Sequence, residues 1–150
     1  MHYHFASKEA LVTALFQGYR AAFVAWASAA DAADERALTR LRRLLEWQAA
    51  EALGERVGPL GVAGVEYASL PSAACAEAEG LSDALIDWLT ATLEHGRDSG
   101  ALAFTGAASD QARLIISASQ GALQLARVNG AGEYRRVGRA ILNNLRPSGT

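Results

Sequence analysis

His2-Tyr3-His4-Phe5-Ala6-Ser7-Lys8-Glu9-Ala10-Leu11 sets four ring-bearing side chains directly before a helix start. Ser7 suits an N-cap, because its short side-chain oxygen can accept from one of the N–H groups that the first helical turn leaves unpaired. Glu9 follows in the first turn, where a carboxylate meets the positive end of the helix dipole. From Ser7 to about Ala30, Leu11, Leu15, Tyr19, Ala22, Phe23 and Trp26 recur at helical spacing, backed by Val12 and Phe16. The first helix is therefore expected over that span.

The remainder of the chain reads as helix too. Alanine, leucine, arginine and glutamate dominate and period-two alternation is absent. A second helix is expected from about Asp34 to Leu53, with Leu38, Leu41, Leu44, Leu45 and Gln48 on one side and Arg36, Arg40 and Arg43 opposite. Gly54, Gly58 and Pro59 break it, and a short helix follows from about Leu60 to Leu70. Pro71 fits the first turn of the next helix, which runs to about Ser99; Gly80 marks a kink or a loop inside it. Ser109 or Asp110 caps a helix reaching about Asn129, with one face of Leu114, Ser117, Ala118, Gly121 and Leu125. That helix is apolar almost all round, so it is central in the fold or buried on two sides. The last runs from about Gly132 to Leu145, with Tyr134, Val137, Gly138, Ile141 and Leu145 as its apolar face. Gly138 costs about 1 kcal/mol there relative to alanine, which close approach by another helix would offset. The spare apolar surface of these last two helices reads as a dimer seam. The expected fold class is all-α, a helical bundle that forms a homodimer.

Composition narrows the function. The chain has 150 residues, a formal net charge of -2 and 51% hydrophobic residues. That length allows one well-buried domain, and the slight negative charge argues against coating nucleic acid through bulk electrostatics. No apolar run reaches the roughly 18 residues of a spanning helix, and no signal peptide is visible, so no membrane partner and a cytoplasmic location are expected. Cys75 is the only cysteine, and His2, His4 and His95 lack the spacing of a ligand helix. No metal site, no cofactor and no disulfide is expected. No nucleophile–base arrangement, phosphate loop or paired-carboxylate motif is present, so no catalytic residues are assigned and the chain is not expected to be an enzyme.

The aromatic cluster, Phe5 and the Ser-Lys-Glu-Ala-Leu run at residues 7–11 resemble the junction between recognition helix and fourth helix in the TetR family of bacterial transcriptional regulators. Gly58-Pro59-Leu60-Gly61 is similar to the start of that family's sixth helix, and Gln120-Gly121-Ala122-Leu123-Gln124-Leu125-Ala126-Arg127 to a run in its eighth. The resemblance implies residues 1–24 as a remnant of the helix-turn-helix domain and residues 25–150 as the ligand-binding and dimerisation domain. His2, Tyr3 and Lys8 would touch DNA phosphates, which position a protein on the duplex without reading sequence. The base-reading helix would lie before Met1, so operator DNA is a partner only of a form that carries it.

In such regulators, commonly repressors, an inducer binds within the helical body and releases DNA. Trp47, Gln48, Tyr67, Cys75, Trp88 and Gln120 are the pocket residues this implies. Each also has a plainer reading: the tryptophans as core, Cys75 as a small buried hydrophobe. The alternative is a stand-alone helical small-molecule-binding or dimerisation module without DNA binding.

Overall fold

The computed structural model describes residues 6–52 and 59–149. The described residues form six α-helices and one 3₁₀ turn, with no strand among them. These are α1 Lys8–Ala32, α2 Ala37–Ala52, α3 Pro59–Glu66, the 3₁₀ turn Tyr67–Ser69, α4 Ser72–Asp98, α5 Ala108–Asn129 and α6 Gly132–Asn144. The fold is all-α, as the sequence implies.

Helix starts and stops have local causes. Ser7 is extended and its hydroxyl accepts the Ala10 N–H at 3.1 Å, as expected of an N-cap. Asp34, at φ +49°, turns the chain between α1 and α2; a short polar side chain is among the few that tolerate this left-handed region. Gly130, at φ +90°, separates α5 from α6. Gln111 N–H bonds the Ala107 carbonyl, so α5 begins after Ala107 without a side-chain cap, and Asp110 sits in its first turn instead. The expected cap at Ser109 or Asp110 is thus corrected by two residues or more. Gly54 and Gly58 lie outside the described residues.

α4 is the axis of the fold, packing against α1, α2, α3 and α5. Ala74, Ala78, Leu81, Leu85, Trp88, Leu89, Thr92, Leu93 and Gly96 are its buried face. At Gly80 the helix runs on unbroken; a Cβ there would fall 2.6 Å from the Arg20 guanidinium carbon, so the glycine admits a side chain from α1. Gly96 is tighter: its missing Cβ would lie 2.4 Å from Leu102 Cδ1 and 2.7 Å from Ala37 Cβ, both buried.

Two apolar faces differ from expectation. On α1 the buried stripe is Phe16, Phe23, Ala27 and Ala30, while Leu11, Leu15 and Ala22 are exposed. On α2, Leu41, Leu44, Leu45 and Gln48 face inward as expected, but Arg40 is drawn in as well. One core cluster joins α1, α2, α4, α5 and the end of α6 through Phe23, Leu41, Leu89, Leu93, Ile115 and Leu145. A smaller one, built on Phe16, Ala63, Ala74 and Ala78, holds α3 to α1 and α4.

Candidate functional site

Four aromatic rings from three helices converge where α1 and α2 meet α4. Phe23 and Trp26 come from α1, Trp47 from α2 and Trp88 from α4. Ring centroids are 5.6 Å apart for Phe23–Trp47, 5.8 Å for Trp26–Trp47 and 5.1 Å for the edge-on Trp26–Trp88 pair. Each such pair adds about 0.5–1.5 kcal/mol beyond its buried area. The Trp88 Nε1–H donates to Asp31 Oδ1 at 3.0 Å, and the Arg40 guanidinium donates to the same oxygen. Arg40 also lies 5.2 Å over the Trp88 ring centroid, a cation–π contact. Burial lowers its pKa, and its Nε is buried without a partner among the described residues. Beside this corner is a groove of about 440 Å³ lined by Trp26, Ala29, Ala30, Arg43, Glu46 and Trp47.

A second cluster sits where the 3₁₀ turn faces α4. The Tyr67 hydroxyl donates to the Glu79 carboxylate, and that bond is the main reason its pKa is raised to about 12. The Cys75 thiol faces two carbonyl oxygens, Tyr67 O at 3.6 Å and Leu70 O at 3.8 Å. A thiol held as a donor to backbone carbonyls is a packed group, and Cys75 is half-buried.

Between α2 and α6, the Tyr134 hydroxyl donates to the Leu45 carbonyl at 2.9 Å and lies 3.4 Å from Gln48 Oε1. Burial pushes the Tyr134 phenol well above the usual tyrosine range. No group of three or more His, Cys, Asp or Glu side chains able to hold a metal occurs among the described residues. No helix among them is long and apolar enough to cross a membrane.

No protein-family model and no curated protein matches the chain. Solved structures do. A TetR-family transcriptional regulator from Agrobacterium tumefaciens matches with a TM-score of 0.86 and 28% identity, over 97% of this chain and 78% of that one. Escherichia coli NemR in its reduced form matches with a TM-score of 0.81 and 17% identity, again over 97% of this chain and 78% of its own. At the lower identity the likeness is one of fold. The chain has the fold of TetR-family regulators, and these matches support its membership of that family.

The residues singled out in the sequence fall in several places. Trp47 and Trp88 share the aromatic corner through Trp26. Tyr67 and Cys75 share the junction with α4. Gln48 is at the α2–α6 seam and Gln120 is half-buried on α5. The six therefore belong to separate neighbourhoods. His2 and Tyr3 lie outside the described residues, and Lys8 is exposed as the first residue of α1.

The face expected to form a dimer seam divides in two. On α5, Leu114 is 61% exposed and Leu125 48%, with Ser117 and Gly121 open and Ala118 half-buried. Val128 continues the stripe at 82%. On α6, Tyr134 and Leu145 are buried in the protomer's own core and Val137, Gly138 and Ile141 are half-buried. Tyr134 and Leu145 are thus corrected from seam to core, because that face of α6 closes over α2 and over the α4–α5 connection, where Ala103 N–H bonds the Leu145 carbonyl.

The sequence marks Arg40 only as part of the polar face of the second helix and gives no sign of Asp31. Asp31 meets Trp88 across 57 positions, a pairing that no local spacing signals.

Proposed function

We propose that this chain is the sensing and dimerisation part of a TetR-type transcriptional repressor. Residues 25–150 dimerise and bind a small-molecule inducer, and residues 1–24 connect them to the DNA-binding unit. Lys8, together with His2 and Tyr3, contacts phosphate in this reading, because an ammonium beside a helix N-terminus suits an anion.

The observation that carries the proposal is the α5 stripe. Leu114, Leu125 and Val128 keep large apolar surface exposed along one face of α5, and open Gly121 lets a second helix come close. An exposed apolar stripe of this kind marks an interaction site, and a two-fold dimer covers it with its own copy. Induction then requires the inducer to favour one spacing of the two DNA-binding units over another. The aromatic corner supports the sensing role, since Trp26 and Trp47 line a groove beside charged Arg43 and Glu46.

Sedimentation velocity at micromolar concentration tests this. A dimer is expected, converted to monomer by Leu114→Glu or Leu125→Glu with the helical circular dichroism kept. A wild-type chain that sediments as a monomer refutes the dimer reading.

A further inference from the structure

Between α2 and α6 runs a groove of about 300 Å³ whose floor includes Leu45, Ala49, Gly138 and Leu142. Arg42, Arg135 and Arg139 also line it, with one carboxylate, Glu46. All three guanidiniums are exposed. The ion pairs among the described residues are Arg20–Glu77, Arg40–Asp31 and Arg43–Glu35, so none of the three is engaged by a described carboxylate.

Two features here work against the fold. Arg135 and Arg139 are like charges four residues apart on one helix, an arrangement that destabilises helices by a few tenths of a kcal/mol. Gly138 lies inside α6, where glycine is poorer than alanine by about 0.5–1 kcal/mol. The close helix approach expected to offset it is absent: an added Cβ would meet only Leu45 Cδ1, at an ordinary 3.6 Å. What the glycine does is keep the floor clear of a side chain. An apolar floor held open beside three arginines and a single carboxylate has one natural complement.

We propose that this groove binds a small amphipathic organic anion, its carboxylate or sulfonate among Arg42, Arg135 and Arg139 and its apolar body on Leu45, Ala49, Gly138 and Leu142. The volume is at the small end of ligand sites, which start near 300 Å³, so a compact body fits best. This goes beyond the dimer and inducer reading, because binding here requires neither a partner copy nor DNA.

The test is a fluorescence titration of the whole chain with 8-anilinonaphthalene-1-sulfonate, and with N-phenyl-1-naphthylamine as the same body without the acid group. The sulfonate is expected to saturate at one site per chain, and decanoate to displace it. Gly138→Leu, or Ala49→Leu should that variant misfold, should weaken both probes at least tenfold. Arg135→Glu with Arg139→Glu, or Arg139→Gln alone, should weaken the sulfonate and leave the neutral amine within twofold. Leu114→Glu should leave both unchanged, which separates this groove from the α5 face. Sulfonate affinity indifferent to both the filling and the charge variants overturns the proposal. So does loss of the dimer in Gly138→Leu, which would make the groove a contact between copies.

Discussion

α5 and α6 are consecutive helices with apolar faces of similar appearance, yet the protomer treats them in opposite ways. α6 carries one apolar face against a strongly charged one, and that face is consumed inside the protomer by Tyr134, Leu142 and Leu145. α5 buries Ala112, Ile115, Ser119, Ala122, Leu123 and Ala126, and still has Leu114, Leu125 and Val128 left over. A helix with one apolar face needs one partner. A helix apolar on two sides needs two, and within the protomer α5 leaves its second face open.

This contrast is open to direct attack, and the strongest blow falls on α6. Leu145→Ala removes a side chain with no residual exposure at the point where α6 closes the main core. It should lower the unfolding free energy by about 2–5 kcal/mol, the usual range for a buried leucine truncation, as read by urea denaturation. A loss below about 1 kcal/mol would mean that α6 is not anchored in the protomer. Next come the glycines. Gly96→Ala drives a methyl into Leu102 and Ala37 and should cost about 1–3 kcal/mol through overpacking. Gly121→Ala on the open α5 face meets nothing within 4 Å and should gain up to about 1 kcal/mol of helix propensity in the monomer. Opposite signs from the same substitution would map the inward and outward faces.

Much of the architecture was legible in the sequence, for identifiable reasons. Ser7 capped α1 as its type and position indicate, and the helical spacing of Leu41, Leu44, Leu45 and Gln48 placed them inside. Periodicity shows that a helix is amphipathic, but it does not say which residue of a broad stripe is innermost. Leu15, at 55% exposed, gave way to Phe16 and Phe23 one step round α1, since α4 chooses the contact line. Arg40 was assigned to solvent because arginine is charged. Its partners, Asp31 from α1 and Trp88 from α4, converge on it only once three helices are assembled. Gly80 looked like a break because glycine is a poor helix former, whereas the helix runs through it and the Arg20 side chain from a distant part of the chain lies over it. The pocket residues fared similarly: residue type marked Trp47 and Trp88, and only tertiary structure joined them through Trp26.

Tyr134 offers a finer probe of the inward face. Tyr134→Phe removes the donor to the Leu45 carbonyl and should cost about 1 kcal/mol at pH 8. The same phenol imposes a pH dependence. Its folded pKa is raised by burial, so its contribution is complete below the unfolded value of about 10 and is lost as pH rises from there toward the folded value. Between pH 10 and 11.5 the wild type should lose stability faster than Tyr134→Phe by on the order of 1 kcal/mol per pH unit. Parallel pH profiles for the two proteins would place the hydroxyl in water.

The smallest effect is the one that separates fold from assembly. Leu114→Ala trims an exposed side chain, and at concentrations where the chain is monomeric it should change the unfolding free energy by less than about 0.5 kcal/mol. Association adds a term that depends on protein concentration, because a partner that binds only the folded chain stabilises it by mass action. The wild-type urea midpoint should therefore climb as concentration is raised from nanomolar to tens of micromolar, while that of Leu114→Ala climbs less or stays flat. Equal slopes would mean that Leu114 lies outside the seam. A large loss at nanomolar concentration would mean that α5, like α6, spends this face within the protomer.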